Sequence, residues 1–146
     1  MKLADAIKRA NRVYIIGNGG SYANAVHMCN DFLSCGVKAY TLDPATLTAV
    51  ANDFGYENVF SRWIATVGEA GDLLIALSGS GRSRNIVNAL IEAESLGMDT
   101  WAILGNRPGE AFEIAHMSMV QGEGMQAAED AQVSIGHEVM KCLKRS

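Results

Sequence analysis

The stretch VYIIGNGGSYANAVHMCND, residues 13–31, decides the fold. Val13, Tyr14, Ile15 and Ile16 form an unbroken run of β-branched and aromatic side chains, the pattern of a parallel strand buried on both faces. Gly17-Asn18-Gly19-Gly20 then turns the chain; residues without side chains can take positive φ and let a ligand approach the backbone, and Ser21 can cap the helix that follows. The free N–H groups and positive dipole end of such a helix attract an anion without any lysine. The turn is neither a dinucleotide fingerprint, since Tyr22 stands where the third glycine belongs, nor a Walker loop, which needs Gly-Lys-Ser/Thr. By itself it is equally a plain strand-to-helix turn. Behind it, His27 and Asp31 sit four residues apart, on one helix face.

The whole chain sets the frame for this stretch. Its 146 residues, 49% apolar and without a linker or repeat, make one domain, residues 1–146, with one good core. No apolar run reaches membrane-spanning length and residues 1–5 do not read as a signal peptide, so the expected location is the cytoplasm. A net charge of −4 with no basic block argues against nucleic acid or anionic lipid as partner, and no membrane association is expected. Cys29, Cys35 and Cys142 lack zinc-site spacing and read as buried thiols.

Onward from both ends of the opening stretch, strands and helices alternate. A short helix over residues 3–10 precedes the first strand, and the helix from Ser21 to Leu33 carries the apolar stripe Ala25, Met28, Cys29 and Phe32. Lys38–Leu42 is a strand, followed by short helices over Thr46–Ala51 and Asn58–Val67 with a polar turn at Asn52-Asp53-Phe54-Gly55 between them. Leu73–Leu77 is the third strand, running into Ser78-Gly79-Ser80-Gly81-Arg82-Ser83 and a helix. Thr100–Leu104 and Met117–Val120 supply two more strands, with a turn over residues 105–109, and a last helix spans Gln126–Lys144. This order implies a three-layer αβα sandwich, doubly wound and flavodoxin-like, on a five-stranded parallel sheet. Ligands in such sheets bind beyond the carboxyl ends of the strands, which puts the 17–21 turn and the 78–83 loop at one edge.

Taken together, Gly-Asn-Gly-Gly-Ser at 17–21, His27, Asn52-Asp53-Phe54-Gly55-Tyr56-Glu57, Val59-Phe60-Ser61-Arg62 and Ser78-x-Ser80-Gly81-x-Ser83 resemble the sugar isomerase (SIS) domain, specifically its phosphoheptose isomerase group. The resemblance runs over nearly the whole chain. It implies a sugar-phosphate ligand and, in members with activity, interconversion of sedoheptulose 7-phosphate and a heptose 7-phosphate for bacterial lipopolysaccharide. It implies that Ser78, Gly79, Ser80, Gly81 and Ser83 hold the phosphate, and that Asn18, Gly19, Ser21, Asn52 and Asp53 contact the sugar. Gly79 stands where threonine is usual, and Arg82 has the length to supply a charge-assisted contact instead.

Isomerisation through an enediol needs a base for the carbon-bound proton and an acid for the oxygens. The family uses a glutamate on the first long helix and a histidine on the last; motif matching puts Asp31 at the first position and Gln132 at the second, with Glu129 in place of a ligand-binding glutamine. Three readings stay open. Glu129 takes over proton transfer and, with Asp31 and Gln132, completes an isomerase; catalysis is lost and the domain senses a sugar phosphate or binds a protein; or His27, Asp31, Glu129 and Gln132 bind a divalent metal such as zinc, although no cofactor is required. His116 and His137 read as structural. A homo-oligomer, dimer or tetramer, is expected from the apolar stripe on the last helix, Ala128, Ala131, Ile135, Val139 and Cys142.

Overall fold

The computed structural model describes residues 1–106, 109–121 and 123–145. Helix α1 (Lys2–Arg9) leads into strand β1 (Val13–Gly17), helix α2 (Gly20–Ser34), strand β2 (Ala39–Thr41) and helix α3 (Pro44–Phe54). A 3-10 turn at Tyr56–Asn58 precedes α4 (Val59–Val67), β3 (Leu73–Ser78), α5 (Arg84–Ser95) and β4 (Asp99–Leu104). The chain closes with α6 (Gly109–Ile114), β5 (Met117–Val120) and α7 (Met125–Lys144). The five strands are all parallel, in the order β2-β1-β3-β4-β5. That order places the central β1 and β3 side by side, Val13 opposite Leu73 and Gly17 opposite Leu77, so the loops that follow them emerge together.

Every residue of β1 and of β3 is buried, and the alternation of side chains explains the unbroken apolar runs. Val13, Ile15, Leu73, Ile75, Leu77, Trp101 and Ile103 pack with α1, α2 and α7 on one face. Tyr14, Ile16, Leu74, Ala76, Ala102 and Leu104 pack with Val59, Phe60 and Ile64 of α4 and Ile86, Ala89 and Leu90 of α5 on the other. The doubly wound three-layer sandwich is therefore the observed fold. Among the described residues no helix is long and apolar enough to cross a membrane.

Local details depart from the expectations. Residues 107 and 108 of the turn over 105–109 lie outside the described residues, and α6, six residues long, has too little periodicity to stand out in the sequence. Helix α3 starts earlier than the apolar pattern suggests and runs on through Asn52, Asp53 and Phe54, where a polar turn is expected, to stop at Gly55, whose φ is +92°. Pro44 occupies its first turn, and Asp43 caps it, accepting bonds from the Thr46 amide (2.9 Å) and hydroxyl (2.7 Å). The apolar stripe of α7 finds its partner within the chain: Ala128, Ile135 and Val139 are buried, the last two in the core shared with α2.

The two bonds from Thr46, hydroxyl first and amide second, hold the Asp43 carboxyl below its ordinary range. A carboxyl lowered in the folded state stabilises above its unfolded pKa and loses that contribution as pH falls through the folded value. Asp43→Ala is accordingly expected to lower the melting temperature at pH 7, by a margin that narrows below about pH 4 in a pH-resolved thermal melt. A margin constant down to strong acid would refute the cap.

Candidate functional site

The β1–α2 turn is built from three glycines with different tasks. Gly19 precedes α2 with φ +56°, a left-handed conformation open to glycine. Gly17 ends β1 so close to α2 that a Cβ would lie 2.6 Å from the backbone carbonyl carbon of Ser21. A Cβ on Gly20, the first residue of α2, would collide with the carboxylate of Glu129 on α7. Ser21 thus sits inside the first turn rather than capping it; it is 4% exposed, and its Oγ accepts a bond from Gln132 Nε2 (3.1 Å).

The 17–21 turn and the loop after β3 meet, as the edge rule requires. Asn18, Ser21, Leu77, Ser78, Gly79, Ser80, Ser83 and Met125 line a cavity of about 70 Å³. Its hydroxyls have a common arrangement. Ser78 Oγ accepts from the Gly81 amide (3.0 Å), Ser80 Oγ from the Arg82 amide (3.2 Å) and Ser21 Oγ from Gln132, which among the described residues leaves each O–H free to donate. Ser83 precedes α5 without a side-chain cap bond, so its hydroxyl is available too. Asn18 is held by a reciprocal amide pair with buried Asn85 (2.8 and 2.9 Å) and accepts from Tyr56 OH (2.6 Å); one of its N–H bonds remains. The cavity is a set of donors at the start of a helix. That suits an anion.

Not every expected residue joins it. The Gly81 amide is occupied by Ser78 and Gly81 does not line the cavity, nor does Gly19, whose task is the turn. Asn52 and Asp53 are exposed on the last turn of α3, bonded to each other (3.0 Å). The link from that region is Tyr56 through Asn18.

A second cluster forms where α2 and α7 lie against each other. Gly136 of α7 brings its Cα close to Met28, a Cβ there lying 3.1 Å from Met28 Cε, and this close approach delivers the neighbouring His137 to α2. His137 Nε2 is 3.1 Å from His27 Nε2 and 3.5 Å from Asp31 Oδ2, which is 3.2 Å from His27 Nε2. Asp31 Oδ2 is buried and among the described residues receives no hydrogen bond of good geometry. Two imidazole nitrogens at 3.1 Å must share a proton or a cation. The three atoms, all within 4.8 Å of one another, form the set among the described residues that could hold a metal ion. Their separations are near the edge of a tetrahedron around zinc, about 3.3–3.5 Å for bonds of about 2.0–2.1 Å.

Gln132 and Glu129, expected at this centre, stand apart from it. Gln132 is 1% exposed, with Oε1 accepting from Asn24 Nδ2 (2.9 Å) and one Nε2 N–H donating to Ser21 Oγ. Glu129 lies along Gly20 at the start of α2, where the helix dipole favours a carboxylate. His137, read from sequence as structural, is the residue that reaches Asp31. The signal that could have found it is Gly136, a small residue that lets two helices approach.

An open parallel sheet with a donor-lined cavity at its carboxyl edge defines an α/β protein able to receive a small anion. Residues 1–105 match the model of the SIS domain, and the chain belongs to that family. Among curated proteins it is 37% identical over 150 residues to the phosphoheptose isomerase of Akkermansia muciniphila, covering 97% of this chain and 79% of that protein. Solved phosphoheptose isomerases have the same fold. The Francisella tularensis protein superposes with a TM-score of 0.93 at 26% identity, covering 99% of this chain and 84% of that one; the Neisseria gonorrhoeae protein gives 0.91 at 25%, covering 99% and 82%.

Proposed function

We propose that the chain is an aldose–ketose isomerase of the phosphoheptose isomerase type, taking sedoheptulose 7-phosphate or a close ketose phosphate through an enediol. One observation carries the reading: a buried carboxylate oxygen, Asp31 Oδ2, with no hydrogen-bond partner among the described residues, faces two imidazole nitrogens at 3.2 and 3.5 Å. Those are the groups that enediol chemistry requires. The phosphate sits among Ser78, Ser80 and Ser83 with the α5 dipole behind it, and the sugar lies against Asn18 and Ser21. Asp31, oriented by His27, removes the proton from the carbon next to the carbonyl, and His137 gives a proton to the carbonyl oxygen. Return of a proton to the former carbonyl carbon, as the neighbouring hydroxyl is deprotonated, completes the exchange. Gln132 moves no proton in this scheme; it holds Ser21.

His27, Asp31 and His137 are also the residues that would hold a divalent ion such as zinc. Bound there, it would polarise substrate oxygens as a Lewis acid. The alternative of a non-catalytic module, which rests on glutamine standing at the acid's position, is not favoured, because His137 supplies the imidazole at Asp31. Relatives of this similarity carry the isomerase name. Incubation with ketose phosphates in deuterated water is expected to place solvent deuterium at carbon 1 or 2, read by NMR. Absence of exchange at high enzyme concentration, with and without added zinc, would sink the isomerase reading.

A further inference from the structure

Gly79 is a glycine that the backbone does not demand. Its φ is not among the positive ones, so the loop conformation accepts a side chain. The space is taken instead: a Cβ on Gly79 would lie 2.6 Å from Met125 Sδ and 3.1 Å from Met125 Cε. Met125 opens α7 directly after Gly124, whose φ is +86°, and although it is 54% exposed its thioether is seated on the serine-rich loop.

That seat lies between two cavities. Met125 lines the 70 Å³ cavity with the four serines, and it also lines a cavity of about 210 Å³ with Gly79, Ser80, Arg82, Gly105, Asn106 and Gly124. Gly79, Ser80 and Met125 are common to both. Of these, Met125 has the side chain long enough to divide them. The larger cavity carries the exposed Arg82, which among the described residues has no ion-pair partner, and the amide of Asn106. A guanidinium beside an amide suits a second phosphoryl group.

We propose that Met125 is a specificity-determining residue, its thioether separating the two cavities and limiting the site to a terminal phosphate monoester, so that a diphosphate cannot extend to Arg82. The proposal rests on the reading of Ser78–Ser83 as the phosphate site. Removing the thioether joins the cavities, and a side chain restored at position 79 closes them again.

Titration calorimetry with inorganic phosphate and inorganic pyrophosphate tests this on the wild type, Met125→Ala, the double variant Met125→Ala with Gly79→Thr, and the double variant Met125→Ala with Arg82→Gln. Met125→Ala is expected to shift the ratio of affinities toward pyrophosphate by about tenfold, the worth of one hydrogen bond to a charged group. Threonine at 79 should return the ratio to that of the wild type, and loss of Arg82 should abolish the gain. If the wild type binds phosphate and Met125→Ala leaves the ratio unchanged within about twofold, the partition is overturned and the phosphate site stands. If the wild type binds neither anion, the phosphate reading falls and takes the partition with it.

Discussion

Replacing His137 by glutamine is expected to lower kcat/KM for ketose–aldose interconversion by about 100-fold or more, the contribution of a positioned acid–base group. The side chain is 44% exposed and its ring meets His27 edge to face rather than filling the core, so the loss should come with a melting temperature close to that of the wild type. Glutamine retains a hydrogen-bonding end and most of the volume but cannot carry a proton, which separates chemistry from packing. The fall should appear in kcat more than in KM, because the proposed phosphate contacts come from Ser78, Ser80 and Ser83 on a different loop. Activity within about tenfold of the wild type would mean that Asp31 works with another partner and that the three-atom cluster is incidental. The same variant removes one of the three atoms able to hold a cation, so zinc should raise the melting temperature of the wild type more than that of the variant.

How far the sequence reaches depends on whether a feature is local. The apolar run of β1 could be read correctly because a strand buried on both faces has no polar alternation to hide, and Val13 and Tyr14 do go to opposite cores. The edge rule brought Asn18, Ser21 and the serine loop to one cavity from topology alone. Position along a packed helix pair was another matter. Motif matching puts Gln132 at the acid's position, and nothing within α7 marks His137 as the residue that meets Asp31. What brings His137 to Asp31 is the close contact of Gly136 with Met28, a fact of packing between residues more than one hundred positions apart. Asn52 and Asp53 failed as a turn for a simpler reason. Turn-forming residues also end helices, and here the chain leaves the helix only at Gly55, where the positive φ of +92° stops it.

Gly17→Ala is expected to be the most damaging of the three glycine-to-alanine changes that the turn can receive. The added Cβ would lie 2.6 Å from both the carbonyl carbon and the oxygen of Ser21 and 2.9 Å from Ser21 Cβ, and backbone inside the first turn of a helix cannot rotate away as a flexible side-chain end can. Either β1 or the start of α2 must shift. Overpacking of this kind costs about 1–3 kcal/mol, which should appear as a lower midpoint in urea. The functional loss should be larger than the stability loss. Moving the first turn of α2 displaces Ser21 from Gln132 and carries Asn18 away from Asn85 and Tyr56, so the proposed sugar contacts, and through α2 the carboxylate of Asp31, leave their positions together. A displacement of about 1 Å at reacting groups is enough for roughly 100-fold in rate. Gly19→Ala provides the contrast within the same turn: no atom lies within 4 Å of its added Cβ, so its cost is the positive φ alone. If Gly17→Ala proved milder than Gly19→Ala in both urea midpoint and turnover, close approach of strand and helix would not be what this turn is built for.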